Sequence, residues 1–316
     1  MYERRGADAD AGLSRNRPMC GIVGLFIKDA RLEPKLGSLL SSMLEVMCDR
    51  GPDSAGFAVY REGTPGTLKI TVRGPAGFDF NGLSGRLSKS IGTDVTVQVH
   101  DTHAVIACTS DREAAVRAAL AGEAPELAVV GRGARMELFK EVGRPDRVAR
   151  RFGLDRMGGT HGIGHTRMAT ESAVTTDGAH PYSTGLDQCL VHNGSLSNHN
   201  DVRRKLRREG LTFATDNDTE VAAGYLAWRM QEGDRLGAAL EHALQDLDGF
   251  YTFVVGTGSG FAVLRDPIAC KPAVMAETEG YVAFGTEYRA LVALPGIEQA
   301  HVFEPEPATV YVWEKT

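Results

Sequence analysis

The sequence has no apolar run that approaches the roughly 20 residues needed to cross a bilayer. It has no excess of basic residues either. The formal net charge is −6, which argues against a protein that binds nucleic acid or a membrane surface through a basic face. An apolar segment of the secretory type is also missing near the N-terminus. What remains is an ordinary soluble globular protein, and the 42% of hydrophobic and 24% of charged residues among 316 are typical of one.

Paired cysteines are absent as well. The five cysteines are odd in number and widely spaced, without a CxxC pair: Cys20, Cys48, Cys108, Cys189 and Cys270. This pattern favours reduced thiols in the cytoplasm over a disulfide framework. His100, His103 and Cys108 have a loosely metal-like spacing, but no fourth ligand lies nearby in the sequence. We therefore interpret them as ordinary strand and turn residues and predict no metal site.

The N-terminal part of the chain changes character at Met19. Residues 1–18 mix charges of both signs and offer little to pack, so we expect them to be disordered. A short apolar strand at 20–27 is followed by an amphipathic helix, with Leu36, Leu40 and Met47 on one face. A turn rich in glycine and proline ends this helix near residue 50, and the segments 57–60 and 67–72 then predict a β-hairpin.

The rest of the chain divides into two regions of different sequence character. We interpret residues 75–158 as a small α/β insertion within a domain that covers 19–316. Beyond it, strand segments surround three predicted helices at about 198–209, 217–231 and 235–246. Strands in runs and helices in blocks favour an α+β fold, in which helices cover antiparallel sheets.

Four short segments, which we call islands, contain residue types that are not expected in a purely structural core. They are MCGIVG (19–24), RGPDSAG (50–56), GHTRMAT with HPY and HNG (164–170, 180–182 and 192–194), and TDNDTEV (215–221). RDPIACKP (265–272) and FGTE (284–287) follow downstream. Together and in this order they resemble the class II glutamine amidotransferase domain, a branch of the N-terminal-nucleophile hydrolases. The resemblance implies a four-layer αββα sandwich of two antiparallel sheets.

The resemblance makes Cys20 the nucleophile, and the chemistry of an N-terminal cysteine supports this role. A free thiol is only a few per cent ionised at neutral pH, whereas an α-amino group has a pKa of about 7.7–8.0. The amine of an N-terminal cysteine can therefore take the thiol proton and return it to departing ammonia. The alternative is a small buried hydrophobic residue on a strand.

The family's substrate contacts carry over to further positions. Asn193 and Gly194 match the oxyanion hole, through the side-chain amide and the backbone N–H. Asn-Gly is also a strong hairpin signal, and both interpretations can hold. Arg167 offers a bidentate fork for the α-carboxylate of glutamine, and Asp218 matches the contact with its α-ammonium group.

Asp218 also has a structural interpretation. An acidic residue in the first helical turn is favoured by the helix dipole, with Asn217 and Glu220 forming a box-like cap. Thr170 and His180 match further glutamine contacts of the family. Arg50 and Asp53 are expected to shape a loop beside the nucleophile, without a catalytic step.

Cys20 is not the first residue of the sequence, and an internal cysteine has no free amine. We expect Met19 to be the true start, since methionine is removed before a small residue such as cysteine. Cleavage of a leader covering residues 1–19 is the second interpretation. A protein that retains the leader should be inactive as a glutaminase.

The implied reaction converts glutamine and water to glutamate and ammonia through a thioester on Cys20. The form GHTRMATESAV and the insertion look most like the amidotransferase subunits of glutamate-synthase-type complexes, including those that make N-methylglutamate. We therefore expect a synthase partner that carries flavin and an iron–sulfur cluster, no cofactor in this chain, and the insertion as a docking surface. The alternatives are an acylase of the same class acting on another amide, and a non-catalytic glutamine-sensing or assembly subunit.

Overall fold

A computed structural model describes residues 19–168 and 173–315, so the leader 1–18 and the segment 169–172 lie outside it. Within the described residues there are sixteen strands and seven α-helices: β1 (Gly21–Ile27), α1 (Leu36–Val46), β2 (Ser54–Tyr60), β3 (Thr67–Arg73), α2 (Leu83–Ile91), β4 (Thr96–His100), β5 (His103–Thr109), α3 (Glu113–Glu123), β6 (Ala128–Gly133), β7 (Met136–Val142), α4 (Pro145–Phe152), β8 (His161–Arg167), β9 (Tyr182–Gly185), β10 (Gln188–Leu196), α5 (His199–Arg208), α6 (Asp218–Gln231), α7 (Leu236–Asp246), β11 (Gly249–Gly256), β12 (Gly260–Arg265), β13 (Val274–Glu277), β14 (Tyr281–Gly285), β15 (His301–Phe303) and β16 (Thr309–Glu314).

Two antiparallel sheets form the body of the molecule. A seven-stranded sheet has the order β15-β13-β14-β1-β8-β2-β7, and a five-stranded sheet has the order β16-β12-β11-β10-β9. Every residue of β1 is buried, as its continuous apolar sequence predicts for a central strand. Because β1 lies in the middle of its sheet, the residue before it, Cys20, is held at the edge of a rigid element.

The apolar core divides according to these sheets. Alternate residues of β1, among them Val23 and Leu25, pack with α1 and α4 on one face of the seven-stranded sheet. The other set, Ile22 and Phe26, packs against side chains of β10, β11 and β12 from the five-stranded sheet. Helices α5, α6 and α7 cover the remaining face of the five-stranded sheet. The fold is therefore a mixed α/β arrangement of antiparallel sheets that pack on each other and on helices.

The predicted helices are confirmed. Helix α1 buries Leu36, Leu40, Met43 and Leu44, as the helical period of its apolar residues predicts. Helices α5, α6 and α7 each lie within one or two residues of the predicted ranges. None of the helices in the two described ranges is long and apolar enough to cross a membrane.

A third, four-stranded sheet has the order β4-β5-β3-β6, with all its pairs antiparallel. Helices α2 and α3 pack on one face of it through a separate apolar cluster. The chain order β-α-β-β-α-β with this strand order is the ferredoxin-like arrangement. We call residues 67–133 the ferredoxin-like subdomain.

This subdomain corrects two sequence predictions. Segments 57–60 and 67–72 do not form a hairpin, because β2 pairs with β7 and β8, whereas β3 pairs with β5 and β6. The bounds 75–158 also shift. β3 precedes residue 75 but belongs to the subdomain, and β7 lies inside that range but pairs with β2 in the seven-stranded sheet. Strand pairing over such distances leaves no local signal in the sequence.

Candidate functional site

Cys20 lies directly before β1, where three of the islands meet. Its carbonyl oxygen accepts hydrogen bonds from the side-chain amide of Asn193 at 3.2 Å and from Nε of Arg50 at 3.4 Å. The next residue, Gly21, donates its N–H to the hydroxyl of Thr166 at 3.2 Å. Cys20 is therefore fixed by side chains from β8, from β10 and from the turn before β2.

Cys20 is half-buried as a residue, and its Sγ lies 3.9 Å from the carbonyl oxygen of Met168. Burial raises the pKa of this thiol above its ordinary value. The main-chain contact with Met168 and the positive charges of Arg167 and Lys271 only partly oppose that effect. At neutral pH the thiol therefore keeps its proton unless a base lies beside it.

The turn at 50–56 contacts Cys20 from the other side. Arg50 forms an ion pair with Glu287 of the FGTE segment, which links two islands beside the Cys20 carbonyl. A side chain at Gly51 would place its Cβ 2.6 Å from the backbone nitrogen of Arg167, so only glycine fits there. Asp53 donates its N–H to the carbonyl oxygen of Arg167 at 3.1 Å. Arg50 and Asp53 thus occupy the loop beside Cys20.

Asn193 and Gly194 lie inside β10, opposite Thr252 and Tyr251 of β11. The hairpin-turn interpretation is therefore wrong, since the pair sits in a strand. Gly194 has a φ of +144°, and a Cβ there would lie 1.9 Å from the carbonyl oxygen of Phe250. Glycine is required at this position for steric reasons, and the local backbone geometry presents the Asn193 amide towards Cys20.

A cavity of about 650 Å³ opens beside this arrangement. Arg167 and Asp218 both line it, so an invariably charged cation and a carboxylate face the same space. Arg167 is 6% exposed, and its charge also acts on the Cys20 thiol. The full lining comprises Arg167, Ala173, Thr175, Gly178, Tyr182, Ser195, His199, Thr215, Asp216, Asn217 and Asp218.

Asp218 is the first residue of α6, and Asn217 caps the helix by accepting the N–H of Thr219 at 2.8 Å. One carboxylate oxygen of Asp218 accepts the N–H of Leu196 at 2.9 Å. Burial alone would raise the pKa of Asp218, but hydrogen bonding and charge from His192, together with the Leu196 N–H, lower it to about 2. Asp218 is therefore a carboxylate at neutral pH.

The predicted capping box differs from the structure in one partner. Glu220 does not return to the N-cap residue. Its carboxylate accepts the backbone N–H groups of Ala214 and Thr215 at 2.7 and 2.8 Å. Glu220 thus holds the segment before α6 and does not cap the helix. That segment forms part of the cavity wall.

His180 is buried and lies next to the substrate-binding candidates. Its Nε2 is 2.8 Å from the hydroxyl of Thr219, and its ring stacks on that of His165 with centroids 4.1 Å apart. This places His180 against the residue that follows Asp218. Its predicted contact with glutamine stays a prediction, and Thr170 lies outside the described residues.

Sequence reasoning missed several residues of the site. Ser195, His199 and Tyr182 line the cavity, and the charge of Lys271 acts on Cys20. Ser195 directly follows the Asn-Gly pair and Tyr182 lies in the HPY segment, so proximity to the islands was an available signal. In the described part of the chain, no group of three or more histidine, cysteine, aspartate or glutamate side chains is arranged to hold a metal ion.

Comparisons with known proteins match this chain to glutamine amidotransferases. The family described as a glutamine amidotransferase domain matches residues 165–293. The chain is 63% identical over 297 residues to the glutamine amidotransferase-like protein GlxB of Rhizobium meliloti, which covers 94% of this chain and 98% of that protein. It is 32% identical over 304 residues to a putative glutamine amidotransferase of Methanothermobacter thermautotrophicus, covering 93% and 99%.

Among solved structures, the glutamine phosphoribosylpyrophosphate amidotransferase of B. subtilis, complexed with ADP and GMP, matches with a TM-score of 0.56 at 18% identity. The match covers 93% of this chain and 47% of that one, so the chain spans about half the length of this solved relative. At that identity the match supports the fold alone. The sequence relatives, which align over nearly the whole chain, establish the family. The chain belongs to the class II glutamine amidotransferases.

Proposed function

We propose that this protein hydrolyses glutamine to glutamate and ammonia, with Cys20 as the nucleophile once it is the N-terminal residue. One observation carries the proposal. Cys20 is held against the Asn193 amide beside a cavity that Arg167 and Asp218 line together. This contact and this pair of opposite charges support the proposed roles of Cys20 as nucleophile, Asn193 as oxyanion donor, and Arg167 and Asp218 as contacts for the two ends of an amino acid.

Recognition of glutamine would use the two charges. The guanidinium of Arg167 can bind an α-carboxylate through two parallel hydrogen bonds, and ionised Asp218 can accept hydrogen bonds from an α-ammonium group. Thr170 and His180 complete the proposed contacts. An acylase acting on another amide does not need both charges, and this favours an amino-acid substrate over that alternative.

The chemical steps follow from the state of the thiol. Because burial raises the pKa of Cys20, an added base is needed, and the free α-amine of an N-terminal cysteine supplies it. Sγ then bonds to the side-chain carbonyl carbon of glutamine, while Asn193 and the Gly194 N–H stabilise the oxyanion. The carbon–nitrogen bond breaks, ammonia leaves with the proton from the amine, and water hydrolyses the thioester to glutamate.

The use of the ammonia belongs to the proposal as well. By its resemblance to the amidotransferase subunits of glutamate-synthase-type complexes, the protein would pass ammonia to a cytoplasmic synthase partner that carries flavin and an iron–sulfur cluster. The ferredoxin-like subdomain is the proposed docking surface for that partner. We also propose that the two large sheets and their helices form the four-layer αββα sandwich of N-terminal-nucleophile hydrolases.

The decisive test is glutamate release from glutamine by protein expressed from Met19, beside the full-length chain. A Cys20→Ala variant and a Cys20→Ser variant serve as matched controls for the thiol. We expect release only from the Met19 form with Cys20 intact, after mass spectrometry has shown a free Cys20 amine. Release that persists in Cys20→Ala would eliminate the proposed nucleophile.

A second candidate function is a non-catalytic glutamine-sensing subunit, which the protonated thiol of an internal Cys20 favours. Calorimetric titration of the same proteins with glutamine separates the two. Binding without glutamate release from a protein with a verified free Cys20 amine would support the sensing subunit over the enzyme.

A further inference from the structure

The segment 173–180 forms one wall of the cavity, through Ala173, Thr175 and Gly178. Its own hydrogen bonds make it compact. Gly178 donates its N–H to the Thr175 hydroxyl at 3.1 Å, and Ala179 donates its N–H to the carbonyl oxygen of Thr176 at 3.1 Å. Because the turn is tight, a shift of its outer residues also moves the residues that face the cavity.

The wall lies close to the proposed carboxylate-binding residue. A Cβ placed on Gly178 would lie 3.3 Å from Nη1 of Arg167, so the backbone of this segment packs against the guanidinium. His180, at the end of the segment, contacts the Thr219 hydroxyl at 2.8 Å beside Asp218. The segment therefore adjoins both charges of the proposed glutamine site.

Lys140 of β7 holds the segment from behind. Its Nζ donates to the carbonyl oxygens of Ala179 at 2.8 Å and of Asp177 at 3.3 Å, and it lies 4.4 Å from the centre of the Tyr182 ring. Lys140 is 5% exposed. Burial lowers its pKa to about 8, against the opposing effect of Asp177 and Glu220. A cation is thus buried in a position where it binds main-chain carbonyls of the cavity wall.

The ferredoxin-like subdomain is connected to segment 173–180 at Thr176 and Asp177. Arg73, the last residue of β3, forms an ion pair with Asp177 at 2.7 Å. Glu141 of β7 accepts hydrogen bonds from Thr176 and, at 3.1 Å, from Thr102 in the turn between β4 and β5. Two separate connections therefore run from the subdomain to the cavity wall.

We propose that the ferredoxin-like subdomain sets the position of segment 173–180 against Arg167, with Arg73 and Glu141 as positioning residues. Neither residue lines the cavity, so both act through Asp177 and Thr176. That the ligand of the cavity is glutamine rests on the function proposed above. This arrangement gives a synthase partner bound to the subdomain a route to the glutamine site that requires no contact with Cys20.

The test uses Arg73→Gln and Glu141→Gln in otherwise intact protein expressed from Met19. We expect KM for glutamine to rise about fivefold while kcat changes by less than about twofold, since binding is affected and the nucleophile is not. The matched control is Arg132→Gln, which removes an ion pair with Glu113 inside the subdomain at 2.5 Å. It should leave KM unchanged.

A reversed ion pair tests whether an increase in KM comes from the loss of the contact between residues 73 and 177 or from a general loss of rigidity in the protein. The double variant Arg73→Asp with Asp177→Arg restores an ion pair of opposite polarity and should return KM towards the original value. An increase in KM that Arg132→Gln reproduces, or that the double variant does not reverse, would overturn the proposal, as would an unchanged KM in both single variants.

Hydrogen–deuterium exchange of residues 173–180 provides a readout that requires no activity. Exchange in this segment should accelerate several-fold in Arg73→Gln and Glu141→Gln and stay unchanged in Arg132→Gln. If the starting protein hydrolyses no glutamine, the proposed function fails, and the exchange measurement still decides the positioning. Unchanged exchange in both variants would eliminate the role of the subdomain.

Discussion

At the scale of single residues, the thiol of Cys20 lies in an environment that keeps it protonated. Burial raises its pKa, and the nearby charges of Arg167 and Lys271 compensate only in part. Gly194 is a different case, because its role is steric: its φ of +144° and its approach to Phe250 exclude a side chain.

In full-length protein, alkylation of Cys20 by iodoacetamide should have its pH midpoint above that of free cysteine, about 8.5. The reason is the cost of burying the thiolate. Peptide mass spectrometry across a pH series measures the midpoint, with N-acetylcysteine in parallel and exposed Cys270 as an internal check that the reagent is active. A midpoint at or below that of N-acetylcysteine would contradict the prediction.

Gly194→Ala should destabilise the protein by more than about 2 kcal/mol. The added Cβ would lie 1.9 Å from a backbone oxygen of β11, and the positive φ of residue 194 disfavours any side chain. Urea unfolding gives the free energy. Gly85→Ala in α2 is the matched control, since nothing lies within 4 Å of its added Cβ, and it should be neutral or slightly stabilising. Equal effects of the two substitutions would show that the contact is not limiting.

At the scale of elements, the start of α6 connects helix capping with the site. Asn217 caps the helix, Asp218 faces the cavity, and Glu220 binds backbone N–H groups of the preceding segment. Three neighbouring residues thus stabilise the helix, line the site and hold its wall. A helix N-terminus is suited to this, because it leaves backbone N–H groups that need oxygen acceptors.

Asn217→Ala should lower the free energy of unfolding by about 1 kcal/mol, since the N–H of Thr219 loses its side-chain acceptor. Asn217→Asp keeps an acceptor oxygen and adds a favourable charge at the helix N-terminus, so it should retain stability. Denaturant unfolding of both variants provides the measurement. Loss of stability in Asn217→Asp equal to that in Asn217→Ala would show that capping is not the cause.

At the scale of the whole molecule, buried histidines link stability to pH. His161 is 1% exposed, stacks on Tyr60 with ring centroids 4.1 Å apart, and donates from Nε2 to the carbonyl oxygen of Thr257 at 2.9 Å. Burial lowers its pKa from 6.5 to about 3. The unfolded chain therefore binds more protons than the folded chain between these values, and folding stability falls as the pH decreases from 6.5 towards 3.

Between pH 7 and pH 5, this histidine should cost about 2 kcal/mol of unfolding free energy. His161→Gln should reduce the loss between the two pH values, whatever its effect at pH 7. His301→Gln makes the same substitution at an exposed position and serves as the control for the change of side chain. An unchanged pH dependence in His161→Gln would show that His161 does not carry this linkage.

Helices and local motifs could be predicted from the sequence because their signals are short. The apolar period of α1 and the position of Asn217 before α6 lie within a few residues, and the islands identified the family. The bounds of the ferredoxin-like subdomain could not be predicted, since β3 and β7 are assigned to their sheets by partners far along the chain. The role of Lys140 could not be predicted either, because its burial against Ala179 depends on how β7 lies beside segment 173–180.

The sequence by itself determined the class of protein, the helices and the order of the islands, because residue type and spacing encode local geometry and chemistry directly. Only the tertiary structure decided that Asn193 and Gly194 lie within a strand, that Glu220 binds the segment before its helix, and that the subdomain contacts the cavity wall. These features arise from long-range strand pairing and packing, which bring distant residues together according to the fold as a whole.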